Sequence, residues 1–229
     1  MTDRTANPMR RRSPAEFFPD GPARRLAAAI QDGDQRAQAA LLAADPALAK
    51  VEGAGGMTMT LWAVSLREVD AAALLLYAGE DPNRMIVMGR QKFQLLALAA
   101  GGDDDRLFEV LLAAGADPKS VDNGEPALFN AIHARRWDRV DRLLTLGAEL
   151  DGPGRTGAPP VIYLAKINEY AAVADFIERG ANLRATDAGG ATLADYVQQH
   201  GPAPDSPNGQ AYARVKKMLM VRGLIPREA

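Results

Sequence analysis

The sequence predicts an all-α solenoid of about six stacked helix-turn-helix units with projecting turns, and three observations carry that prediction. Four segments end alike: LLLYAGEDPN (74–83), VLLAAGADPK (110–119), RLLTLGAEL (142–150) and DFIERGANL (175–183), with LMVRGLIP (219–226) closing the series. Their glycines, Gly79, Gly115, Gly147, Gly180 and Gly223, lie 36, 32, 33 and 43 residues apart, a period near 33. Ahead of them sit short apolar segments, LWAVSL from Leu61, LLALAA from Leu95, ALFNAI from Ala127 and VIYLAK from Val161. A lone pair of such helices cannot bury its apolar faces, so stacking is obligatory.

The endings have a physical reason to recur. Paired leucines place two large apolar groups on the buried side of a helix, and the glycine after them takes positive φ just past the helix end. From Ala23 the chain gives a first pair of helices, with Leu41 and Leu42 in the paired-leucine place and Asp45 where the glycine would stand. Units are therefore expected near residues 23–52, 53–85, 86–121, 122–153, 154–186 and 187–229. Together they make a single array over 16–229, behind a disordered basic tail at 1–15 that carries Arg10, Arg11 and Arg12. The last unit is long, and its excess sits in GPAPDSPNGQ (201–210), where Pro and Gly predict a loop before the outer helix resumes at Ala211.

The second irregularity lies between Asn83 and Gln94, where the step is also long. Met85, Ile86, Val87 and Met88 form a β-favouring apolar run, Gly89 makes a turn, and Arg90, Lys92 and Phe93 follow. Methionine-rich apolar surface adapts to partners, so Met85, Val87, Arg90 and Phe93 are candidate binding residues; inward packing of Ile86 and Val87 remains open. Asp103, Asp104 and Asp105 supply negative charge to the start of a helix near Arg106. Arg139 and Arg142, alongside Asp138 and Asp141, read as a solvated, ion-paired face.

Composition excludes several classes of function. A net charge of -2 argues against bulk attraction to nucleic acid, and the absence of cysteine removes disulfides, thiolate metal sites and a Cys nucleophile. Two distant histidines make a zinc site of the usual kind improbable, and adjacent aspartates on a turn lack the alternation of a calcium loop. The stretch SPAEFFPDGP (13–22) cannot serve as the apolar run of an export signal, and no segment has the length of a membrane span. Phosphate loops, nucleophile elbows and zinc-protease motifs are all missing. The expectation is a cytoplasmic, non-catalytic chain without cofactor or metal, and its Ala- and Arg-rich composition points to a bacterial source.

These segments resemble ankyrin repeats over roughly residues 24–226. The nearest matches are GADP (115–118), GEPAL (124–128) in place of Gly-x-Thr-Pro-Leu, and DAGGATLAD (187–195). The Thr-Pro and His of the family signature are mostly lost, with Pro126-Ala127 and Pro159-Pro160 standing in, so the array is a divergent one. A different helix-hairpin solenoid is the structural alternative.

The resemblance implies a partner-facing groove lined by the projecting turns and by exposed positions of the first helix of each unit. Carried over, it implies Ser65 and Leu66, Gly101 and Gly102, His133 and Ala134, and Lys166 and Ile167. Trp62, Arg136, Arg155 and Tyr170 lie close by and are residue types found at binding hot spots. For Trp62 and Trp137, packing between units is the competing assignment. The expected partner is another protein, bound by a chain that is monomeric when free, with no nucleic acid and no membrane involved. Three modes of action stay open: an adaptor or scaffold, an inhibitor or immunity protein that occludes one partner such as a toxin, and a chaperone-like binder of several clients.

Overall fold

Short helices paired through tight turns follow from the recurring ending, and the computed structural model shows them throughout residues 7–199, 202 and 206–226, which it describes. Two compact units make up the chain, Met1–Gly147 and Ala148–Ala229.

Four helix pairs build the first unit: α1 (Pro22–Asp32) with α2 (Gln35–Ala44), α3 (Met59–Ser65) with α4 (Val69–Tyr77), α5 (Leu95–Gly101) with α6 (Asp105–Ala113), and α7 (Ala127–His133) with α8 (Trp137–Thr145). The first helix of the later pairs spans seven residues, and most are buried: Leu95, Leu96, Ala97, Ala99 and Ala100 in α5, and Ala127, Leu128, Phe129, Ala131 and Ile132 in α7. Their small side chains permit close approach. A Cβ at Gly101 would lie 3.0 Å from the Asn130 carbonyl oxygen of α7.

The paired-leucine glycines take the left-handed conformation the sequence requires, with φ of 99° at Gly79, 89° at Gly115 and 101° at Gly147. The turn inside the helix pair uses the same region of backbone space without glycine at Arg67 and Arg135, with φ of 61° and 55°. Asn83 ties successive pairs together: its amide donates to the Gly115 carbonyl at 3.0 Å and its oxygen accepts from the Asp117 N–H at 2.6 Å.

The projecting turns are hairpins. Strands β1 (Ile86–Met88), β2 (Gln91–Phe93), β3 (Val121–Asp122) and β4 (Glu125–Pro126) form an antiparallel sheet in that order, with Ile86 opposite Phe93 and Phe93 opposite Asp122.

Within the second unit, α9 (Pro160–Lys166) pairs with α10 (Tyr170–Glu178) and α11 (Leu193–Gln199) with α12 (Pro207–Val221). The outer helix of the last pair starts at Pro207 rather than Ala211. Ser206 caps it by accepting the Gly209 N–H at 2.9 Å, and proline at a first helical position forfeits no hydrogen bond. Residues 200, 201 and 203–205 of the expected loop lie outside the described residues.

Ahead of α1, where disorder was expected, Pro8–Arg11 and Pro14–Glu16 form 3-10 turns capped by Asn7 and Ser13. Side chains from α1 and from the α3–α4 turn hold this segment; residues 1–6 lie outside the described residues.

Candidate partner-facing surface

The hairpin divides its residues by the alternation of a strand. Ile86 and Phe93 face inward and are buried, whereas Met85 and Val87 are 43% and 47% exposed, with Arg90 exposed at the turn. Phe93 therefore belongs to the core and not to the surface expected of it: directly opposed residues of two strands share one face, so Phe93 must follow Ile86.

Between this sheet and the first helices lies an open depression of about 400 Å³, lined by Leu98 and Gly101 of α5, Asp122 of β3, and Asn130, His133 and Ala134 around α7. Leu98, 38% exposed, is an apolar side chain facing solvent on an otherwise buried helix. Asn130 is oriented by donating to the Ala97 carbonyl at 2.9 Å, and His133 stands 6.0 Å edge-on from the Phe129 ring. Gly101, His133 and Ala134, expected at groove positions, thus meet in one place. Leu98, Asp122 and Asn130 complete it without having been singled out, since three leucines in LLALAA do not show which one faces solvent. Arg136 is half-buried and donates to Asp103 at 2.9 Å.

The three aspartates beside it serve three partners. Asp103 pairs with Arg136, Asp104 caps α6 by accepting the Leu107 N–H at 3.0 Å, and Asp105 accepts from Arg139 at 2.5 Å, which holds its carboxyl below the ordinary range. Arg139 is fully buried, so it is no part of a solvated face.

Three further expected surface residues are core. Trp62 is fully buried, donates from Nε1 to the Ala27 carbonyl at 2.9 Å, and meets the rings of Phe17 at 5.5 Å and Phe18 at 6.2 Å. Leu66 is buried at the end of α3. Tyr170 of the second unit is buried edge-on against Tyr212 at 5.0 Å, and burial raises its pKa. Trp137, for which packing was the competing assignment, is 36% exposed at the start of α8.

Arg155 and Lys166 are exposed in the second unit. Lys166 donates to Asp187 at 2.6 Å and lies 5.1 Å over the Tyr196 ring. Among the described residues, no group of three or more His, Asp or Glu is placed to hold a metal ion, and no helix is long and apolar enough to cross a membrane.

No protein-family model matches the chain. Its fold is similar to that of an ankyrin repeat domain from Acinetobacter baumannii, with a TM-score of 0.67 and 22% identity over 86% of this chain and 97% of that one. It is also similar to the ankyrin repeat domain of Bcl-3, a member of the IkappaB protein family, with a TM-score of 0.66 and 20% identity over 85% of each chain. In sequence, it is 35% identical over 116 residues to cyclin-dependent kinase 4 inhibitor B of Bos taurus, covering 48% of this chain and 83% of that protein. The chain belongs to the ankyrin-repeat family. As an ankyrin-repeat protein it retains the pairing, the glycine stops and the hairpin turns while replacing most of the signature side chains. In its second repeat the carbonyls of Ser65 and Leu66, at expected groove positions, accept hydrogen bonds from the side chains of Asn7 and Arg10.

Proposed function

We propose that this ankyrin-repeat chain is a non-catalytic protein-binding module, an adaptor or scaffold acting in the cytoplasm. One observation carries the reading: exposed Leu98 and His133 line an open depression, on the same unit as a hairpin that presents Met85, Val87 and Arg90. Apolar groups rimmed by polar ones in this way suit a protein surface better than a small substrate. The lining of the depression holds no hydroxyl, thiol or amine nucleophile, so no catalytic step is assigned to it. Arg136 is proposed as a flanking contact on this unit, and Arg155 and Lys166 as contacts of the second unit taken by itself.

A second reading, an inhibitor that occludes one partner, is favoured by the kinase inhibitor with which the chain shares 35% identity. The experiment is affinity capture with the tagged chain beside a Val87→Ser, Leu98→Ser variant, with circular dichroism to show that the variant is folded. The expected result is one stoichiometric partner, lost with the variant. Capture unaffected by the variant, or a spread of weak clients, overturns the reading. Loss of the captured partner's own activity separates an inhibitor from an adaptor.

A further inference from the structure

The segment ahead of α1 runs beside α3 from the loop preceding that helix to its carboxyl end. At one extremity the Ala54 N–H donates to the Phe17 carbonyl at 2.7 Å, and the rings of Phe17 and Phe18 cover Trp62. The fit there is close: a Cβ at Gly53 would lie 2.5 Å from the Phe17 carbonyl oxygen. At the other extremity the Asn7 amide donates to the Ser65 carbonyl at 2.8 Å. Between them Arg10 spans two helices, donating to the Gln31 carbonyl of α1 at 2.7 Å and the Leu66 carbonyl at 3.2 Å while pairing with Glu68. Gln31 answers by donating to the carbonyls of Arg10 at 2.8 Å and Arg12 at 3.0 Å.

Two features mark this as an occupied groove rather than a continuation of the core. The recognition is of the kind proteins use between chains: a guanidinium on the electronegative carboxyl ends of two helices, with a carboxylate beside it, and an aromatic pair on a tryptophan. Neither 3-10 turn fully buries a residue, and Phe18 is the one fully buried apolar anchor among residues 7–18, with Phe17, Met9 and Pro14 half-buried.

We infer that residues 7–18 sit as an intramolecular ligand in a groove on α1 and α3 that recognises an arginine followed, seven residues on, by an aromatic pair. A partner segment of that chemistry engages the second repeat only by displacing them. This rests on the reading of the first helices as the partner-facing side, and it places part of that side under the chain's own control. The α5–α7 depression stays open, while the α3 groove is closed until a competitor takes it.

The test uses the full chain and a fluorescein-labelled peptide of residues 7–18, followed by anisotropy. Arg10→Ala loosens the resident segment, so this variant binds the peptide at least about tenfold more tightly than the wild type does. Adding Glu68→Gln to the variant abolishes the gain, because the peptide's arginine then loses its carboxylate. Phe17→Ser, at a half-buried position, is the second loosening variant, and circular dichroism shows that each is folded. Equal binding by the wild type and both loosened variants, or none by any, overturns the inference. Because the measurement needs no partner, its outcome is independent of the capture experiment on Val87 and Leu98.

Discussion

Arg139 shows how much one side chain can hold. Its Nη1 donates to the carbonyls of Ala99 at 2.5 Å, Gly102 at 2.8 Å and Ala100 at 3.3 Å, its Nη2 donates to Asp105, and its guanidinium lies 5.2 Å over the Phe108 ring. The Ala100 and Gly102 carbonyls lie at the carboxyl end of α5, where a helix leaves its acceptors unpaired, and the Ala99 carbonyl takes Arg139 in addition to the Gly102 N–H at 3.1 Å. Arg139→Ala is expected to cost about 3 kcal/mol in urea unfolding, since it orphans buried acceptors. Arg139→Lys should recover only part of this, because an ammonium cannot reach the carbonyls and the carboxylate together. Arg142 lies three residues away, is half-exposed and stands 3.7 Å from Glu109, so Arg142→Ala should cost less than about 0.5 kcal/mol. Equal losses at the two positions would refute this division. The sequence made the two arginines look alike, since both stand beside an aspartate on one helix. What separates them is the carboxyl end of a helix some forty residues earlier, which local spacing does not encode.

Elements were legible where a local rule forces them. Positive φ at Gly79, Gly115 and Gly147 is demanded by the helix stop, and the hairpin was visible as an apolar run with a glycine turn. The facing of that hairpin was harder to read, because a strand's inward face is set by register: Phe93 is buried because it opposes Ile86. The burial of Trp62 was hidden for another reason, as Phe17 and Phe18, whose rings meet it, come from outside the repeat. The turn at Asp187 shows an element built by one carboxylate. It accepts from the N–H groups of Gly189 at 2.9 Å and Ala191 at 3.1 Å, from the Tyr196 hydroxyl at 2.7 Å and from Lys166. The Lys166 hydrogen bond, then those from Tyr196 and Ala191, hold its pKa well below the usual carboxylate range. A depressed folded-state pKa adds stability above the unfolded value of about 3.9, and that stability is lost as pH falls through the folded value. Thermal melts followed by circular dichroism should therefore drop between about pH 5 and pH 2, and Asp187→Asn should show a shallower pH slope than the wild type. An identical slope would remove Asp187 as a source of acid sensitivity.

For the molecule as a whole, the period near 33 carries an energetic consequence that no single element has. In a repeat array each unit is supported by its neighbours in sequence, so stability sums along the chain instead of residing in one shared core. Asn83 reaching Gly115 and Asp117, and Asp151 accepting the Asn182 N–H at 2.8 Å within the second unit, are successive-repeat ties of this kind. Leu143 is fully buried in α8 of the first unit, and Leu143→Ala is expected to cost about 2 to 5 kcal/mol through lost burial and the cavity left behind. Both tryptophans, Trp62 and Trp137, belong to the first unit, so their fluorescence reports it alone, whereas far-ultraviolet circular dichroism sums the helices of both. In the wild type the two urea curves should lie close together. In Leu143→Ala the tryptophan curve should shift to lower urea than the dichroism curve, as the damaged repeats open while the rest persists. Curves that shift together by the same amount would mean that the chain unfolds all at once, and would overturn the picture of stability spread repeat by repeat.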